Sequence, residues 1–331
     1  MFYKVLYKFC PTNLYFQGVI QMNEDCLREK VERYSALKSQ GKLLEERTGA
    51  LETFNEVMDM LEEGYLRTAS KTNGSWHVNR WVKEGIMLGF PLGNITVYNG
   101  STDIHFVDKE TFPLRKINSN AGFRVVPPAA GLRRGAYAGK GAIFMPPAYV
   151  NVGAYIGENT MVENLAGSCC QVGKDSHISA GAVIGGVLDP IEATPVILGD
   201  NVLLGEGSGV TQGSRLDDLV TLAPGVHISK GTPVIDSIRG TVYTSKGIAT
   251  LEETNFSGVN HCKSPGVKVY GVGSVFQEKD SSFGPEIPRG ALVISGVMLS
   301  STGTLKVVPM IAKYIEEKSQ RSYALEEALR S

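Results

Sequence analysis

Between Leu132 and Asp236 an apolar residue returns at every sixth position. Leu132, Ala138, Phe144, Val150, Ile156 and Val162 form one run, and Val172, Ile178 and Ile184 a second after a slip of phase. Leu198, Leu204, Val210, Leu216, Leu222, Ile228 and Val234 form the third, which makes sixteen positions in all. Four residues after the apolar one, each regular unit carries a small or β-branched residue, from Ala136, Ala142, Ala148 and Ala154 through Ala166 and Ser208 to Thr232. A helix spaces its apolar residues three and four apart and a half-buried strand spaces them two apart, so a strict six requires short straight segments joined by corners. Hexapeptide repeats of this kind signal a parallel β-helix. The large residue fills the interior and the small one fits the corner, while coils stack at roughly 4.8 Å through parallel-strand hydrogen bonds. Gly135, Gly141, Gly153, Gly207, Gly213, Gly225 and Gly231 are expected to supply the unusual backbone angles of the corners. A β-sandwich with accidental spacing does not account for sixteen matches.

The pattern is different on either side. From Asn23 the chain reads as helix, with Leu27, Val31 and Tyr34 spaced by four and three up to a break at Gly41. A second helix is predicted from about Leu51 to Glu63, with Phe54, Val57, Met58 and Leu61 on one face and Gly64 as its stop. Trp76 to Phe90 reads as a third amphipathic helical piece, its Trp76 and Trp81 serving as packing anchors. The expected division is therefore a mostly helical N-terminal domain over 22–120, a β-helix over 121–236, and a loop excursion with a C-terminal cap over 237–331. Asn13 to Gly18 reads NLYFQG, most of a tag-removal protease site, so 1–21 is set aside as an appended tag or disordered extension. Pro127 and Pro128 fix an extended entry into the first coil. The repeat is broken around Ser168–Gln171, where the phase slips by four, and at Gly186–Val196, where Pro190 and Pro195 cannot continue a ladder. After Asp236 the hexads stop. Residues 237–289 read as a loop excursion or partly ordered strands, Ala291–Ser295 and KVVPMIAKYI as strands, and YALEEALRS as a short closing helix over an open sheet edge.

Composition narrows the partners. Thirty-three basic against 34 acidic residues give a net charge of −1, which excludes an electrostatic nucleic-acid surface. Cys10, Cys26, Cys169, Cys170 and Cys262 lack metal-site spacing, and adjacent Cys169 and Cys170 read as small reduced thiols in the wall of the coil. That fits a cytoplasmic location. No apolar run approaches the roughly 18 residues of a membrane span.

The stretches FRVVPPAA, YVNVGAYIGENTMVE, GSCCQVGK, GGVLDP and TPVILGDN, in this order, resemble the tetrahydrodipicolinate N-succinyltransferase family. The resemblance runs from about Phe54 to Asp236 and again over the C-terminal strand and helix. It implies a homotrimer of left-handed β-helices with active sites in grooves between subunits, and no permanently bound cofactor or metal. Succinyl-CoA would be the co-substrate. The acceptor would be L-2-amino-6-oxopimelate, the ring-opened form of tetrahydrodipicolinate, and the product N-succinyl-2-amino-6-oxopimelate, in diaminopimelate and lysine synthesis.

Residue by residue, Glu163 matches the family's catalytic or substrate-binding carboxylate. Chemistry agrees, because an ammonium nucleophile must lose a proton before it attacks a thioester. A covalent acyl-anhydride on Glu163 is the second route. Arg124 matches the substrate-binding arginine, whose planar fork suits a dicarboxylate. Gly186, Gly205, Ser208 and Gly209 fall in the stretches matched to donor binding. The sequence departs at Gly209, where one branch of the family has Glu; Glu206 is a local candidate for that role. His177 and His227 share a hexad phase and are alternative bases, since other β-helix acyltransferases use His. The 237–289 segment looks longer than the family's connection and bears on donor choice. Two further hypotheses stand beside this one: an acetyl-CoA-dependent or specialised-pathway acyltransferase, and a non-catalytic β-helix scaffold. The scaffold includes a carbonic-anhydrase-like reading, for which His177 and His227 are too few.

Overall fold

The computed structural model describes residues 14–99, 105–191, 193–253, 270–278, 283–299 and 305–315. Among these residues three α-helices open the chain: α1 (Leu14–Ser39), α2 (Arg47–Glu62) and α3 (Arg80–Leu92). Their apolar stripes meet in one cluster, Leu27 and Val31 from α1, Phe54, Val57 and Leu61 from α2, and Trp81 and Ile86 from α3. Val152 and Cys169 join that cluster from the coil, so the helices pack directly onto it. The stretch from Trp76 to Phe90 is only partly helical. Trp76 lies on the strand Ser75–Val78, which pairs antiparallel with Ala69–Thr72. Asn73 and Gly74 both take positive φ in the turn between them, and Asn-Gly is the tight-hairpin signal that a helical reading overlooks. Trp81 is a buried anchor, whereas Trp76 is half-buried with its ring 5.6 Å from the Arg67 guanidinium. A second hairpin, Ile95–Asn99 with His105–Lys109, precedes the coil.

The hexad segments form two-residue strands arranged on three faces. Face A carries Arg124, Ile143, Met161, His177, Leu203 and Thr221 as its outward residues. Face B carries Gly131, Tyr149, Leu165, Val183, Gly209 and His227. Face C carries Tyr137, Tyr155, Gln171, Ile197 and Arg215. Every strand pairs in parallel with the strand one full coil later, Ile143 standing opposite Met161, 18 residues on. All sixteen hexad residues point inward and belong to one buried core. Each buried Leu, Ile, Val or Phe contributes roughly 1.5–3 kcal/mol of burial, so the interior column is the main source of stability.

Two coils depart from 18. Tyr149 pairs with Leu165 and Met161 with His177, 16 residues apart, because the corner after Val162 is short. The slip of phase therefore falls at Glu163–Asn164, not at Ser168–Gln171, and Ala166 is an inward strand residue of face B. At the other departure Gln171 pairs with Ile197, 26 residues on, because the segment 186–196 is inserted as a loop. Of the seven predicted corner glycines, six have positive φ and Gly231 does not; Asn159 and Asn201 hold the same conformation at other corners.

Beyond Asp236 the described chain is largely strand. Val234–Asp236, Thr241–Thr244, Gly247–Glu253 and Tyr270–Glu278 form antiparallel neighbours. The ladder then resumes, Glu286 pairing with Arg215 on face C and Leu292 with Thr221 on face A. Ala291–Leu299 and Leu305–Tyr314 make a long antiparallel pair, and the latter also lies beside Ile235 and Asp236. The expected closing helix, YALEEALRS, and residues 1–13 lie outside the described residues.

Candidate active site

The shortened corner sets the geometry around Glu163. Its N–H donates to the Ile178 carbonyl at 2.9 Å, which holds the backbone to the next coil. Because Met161 stands opposite His177, Glu163 lies diagonally across from that imidazole, and its Oε1 is 3.3 Å from His177 Nε2. Both side chains are about a quarter exposed, 25% for Glu163 and 26% for His177. A half-buried carboxylate in contact with an imidazole, open on one side, can accept a proton from an incoming amine or hold the ring in one orientation. The sequence offers these two residues as competing candidates. The structure brings them into one unit.

The other expected residues are distributed around this pair. Arg124 is exposed on face A, three rungs from His177 in the same outward column, about 14 Å away at the usual strand spacing. Gly205 follows Leu204 on face A and so shares the column of Glu163 and Ser179, its N–H bonded to the Leu222 carbonyl. A Cβ there would come within 2.7 Å of Leu222 O and Pro224 N, so glycine lets two coils approach closely. Glu206 is exposed at the corner beyond it.

Ser208 does not reach the surface. Its Oγ is buried inside the coil with no hydrogen-bond partner, its N–H donates to Gly205 O, and its carbonyl accepts from Val183 N. With both backbone groups committed and the hydroxyl turned inward, Ser208 has nothing to offer a pantetheine amide. Gly209 is on face B and is also covered: a Cβ on it would be 2.5 Å from His227 Nδ1. The glycine makes room for the His227 ring, and that accounts for the departure from the family's Glu at this position. His227 itself lies on face B, a different face from Glu163. Gly186 is exposed where the inserted loop leaves face B.

Cys169 and Cys170 are wholly buried, and burial pushes the Cys169 thiol up to about 12 and the Cys170 thiol upward as well. They are structural thiols in the wall, not nucleophiles. The largest cleft on the described surface, about 500 Å³, opens on face C and is lined by Arg67, Trp76, Tyr137, Tyr155, Lys174 and Asp200 among others. Glu163 and His177 do not line it; they stand on an open face. Among the described residues no helix is long and apolar enough to cross a membrane.

Hexapeptide coils with a carboxylate and an imidazole paired on an outward face define a hexapeptide-repeat acyltransferase. Comparison with known proteins gives the particular family. The family described as Tetrahydrodipicolinate N-succinyltransferase N-terminal matches residues 27–92, which span most of α1 and all of α2 and α3. A 2,3,4,5-tetrahydropyridine-2,6-dicarboxylate N-succinyltransferase of Polynucleobacter asymbioticus is 34% identical over 286 residues, covering 83% of this chain and 88% of that protein. The protein of the same name from Sodalis glossinidius is 32% identical over 284 residues, covering 84% and 88%. The one from Acinetobacter baylyi is 40% identical over 195 residues, covering 57% and 70%. The chain belongs to the tetrahydrodipicolinate N-succinyltransferase family.

Proposed function

We propose that the protein transfers a succinyl group from succinyl-CoA to the amine of L-2-amino-6-oxopimelate, giving N-succinyl-2-amino-6-oxopimelate and CoA in diaminopimelate and lysine synthesis. Family membership supports the reaction, and one observation supports the chemistry: the Glu163 carboxylate 3.3 Å from His177 on an open face. The acceptor arrives as an ammonium. Glu163 takes its proton, the freed amine attacks the thioester carbonyl, the new C–N bond forms, and the C–S bond breaks to release CoA as its thiol. His177 orients the carboxylate. Arg124 holds an acceptor carboxylate, and Gly186 with the Gly205–Glu206 corner borders the donor.

The coil is read as left-handed and the working unit as a homotrimer. A single chain offers one wall only, since Glu163 and Gly186 belong to adjacent faces and neither lies in a closed cleft. Sedimentation at micromolar concentration should give the mass of three chains; a stable monomer would refute it. A cytoplasmic location belongs to the same reading.

The experiment that tests the reaction measures CoA release with succinyl-CoA or acetyl-CoA, each with and without 2-aminopimelate. Release that depends on both succinyl-CoA and acceptor is the expected result. Preference for acetyl-CoA, or release from neither donor, would overturn the proposal.

A further inference from the structure

The loop inserted after Val183–Ile184 is tied down at three points. Val187 is buried in the coil core and Leu188 packs against the helical cluster. The third tie is Lys83 of α3, a lysine with 0% exposure. Its Nζ donates to the carbonyls of Ala193 at 2.7 Å, Ile191 at 3.0 Å and Pro190 at 3.4 Å. An ammonium has three N–H donors, and taking it out of water costs several kcal/mol unless they are met. Its neighbours on α3, Val82 and Ile86, are core residues, so an apolar side chain would satisfy the packing here just as well. What the charge adds is a grip on three carbonyls of one loop, more than a hundred residues away in the chain. That loop leaves the coil at Gly186.

We propose that Lys83 is a positioning residue for donor binding: it fixes the loop that begins at Gly186 in the shape that receives acyl-CoA, and so couples the N-terminal helices to the donor site. The inference rests on the proposed assignment of Gly186 to the donor. It adds a residue in which no sequence signal is visible, because an isolated Lys on an amphipathic helix reads as a solvated face.

Lys83→Met keeps the stem and removes all three donors. In hydrogen exchange of the full chain without substrate, amides of residues 187–191 should exchange on the order of tenfold faster than in the parent, while the coil around Phe144 stays unchanged. In turnover, the apparent KM for succinyl-CoA should rise on the order of tenfold and that for 2-aminopimelate move less than about twofold. Unchanged loop exchange overturns the tie. A loosened loop with both KM values moved equally, or with neither moved, overturns the donor role. Should the variant not fold, the unaltered protein decides the matter, since CoA should slow exchange at 187–191 and absence of slowing refutes the proposal. Should the unaltered protein release no CoA from succinyl-CoA, the proposed reaction fails, yet the substrate-free exchange comparison still decides whether Lys83 holds the loop.

Discussion

Replacing Glu163 with Gln separates charge from shape. The side chain is about a quarter exposed and its one printed partner is His177 Nε2 at 3.3 Å. An amide can still accept from, or donate to, that ring nitrogen, so the geometric loss is at most one modest hydrogen bond, about 0.5–1.5 kcal/mol. At 1.36 kcal/mol per decade of rate, that alone lowers turnover by about tenfold or less. Loss of a general base lowers it by roughly 100- to 10,000-fold. The two causes therefore differ in size. We expect Glu163→Gln to fall in the larger range with little change in either KM, measured as steady-state CoA release, and the acidic limb of its turnover profile to flatten. His177→Ala, which removes an orienting partner, should cost about tenfold or less. The general-base mechanism also predicts no burst of CoA without acceptor and no hydroxylamine-sensitive adduct on Glu163. Near-parental turnover in Glu163→Gln would refute the role of Glu163 by either route, and a fall in His177→Ala as deep as that expected for Glu163→Gln would move the base to His177.

Three more outcomes follow from the same structure. Arg124→Lys should raise the apparent KM for acceptor more than that for succinyl-CoA, because a point charge does not reproduce a bidentate fork; equal changes would count against it. Phe144, fully buried in the coil with the Phe123 ring edge-on at 6.0 Å, should lose about 3–5 kcal/mol as Phe144→Ala, read as a lower urea midpoint at unchanged slope. A loss under about 1 kcal/mol would contradict its place in the interior column. The Cys169 thiol, pushed up to about 12 by burial, stays neutral in the fold well above the ordinary thiol value near 8.5. A raised folded value gives stability that is present below the unfolded pKa and lost as pH climbs through the folded one, so the fold should weaken between about pH 9 and 12. Cys169→Ala should make that decline shallower, and iodoacetamide at pH 8 should label exposed Cys26 in the native protein but neither Cys169 nor Cys170.

The sequence by itself determined the interior. A residue that must face inward once per straight segment leaves a mark at a fixed interval, and all sixteen hexad positions are buried for that reason. The stripes of α1 and α2 are legible on the same principle. The position of the phase slip was not, because Ala166 is small enough to serve as a corner residue and apolar enough to serve as an inward one; only the pairing of Leu165 with Tyr149 decides between them. That decision creates the site. A 16-residue coil brings His177 beside Glu163, whereas periodicity alone left the two as rivals. Ser208 and Gly209 show the converse, since a motif match names a position but not the direction its atoms point, and stacking turned one inward and covered the other with His227. Lys83 is the extreme case. Its meaning lies wholly in three carbonyls more than a hundred residues along the chain, and such a contact exists only once helix and coil have packed together.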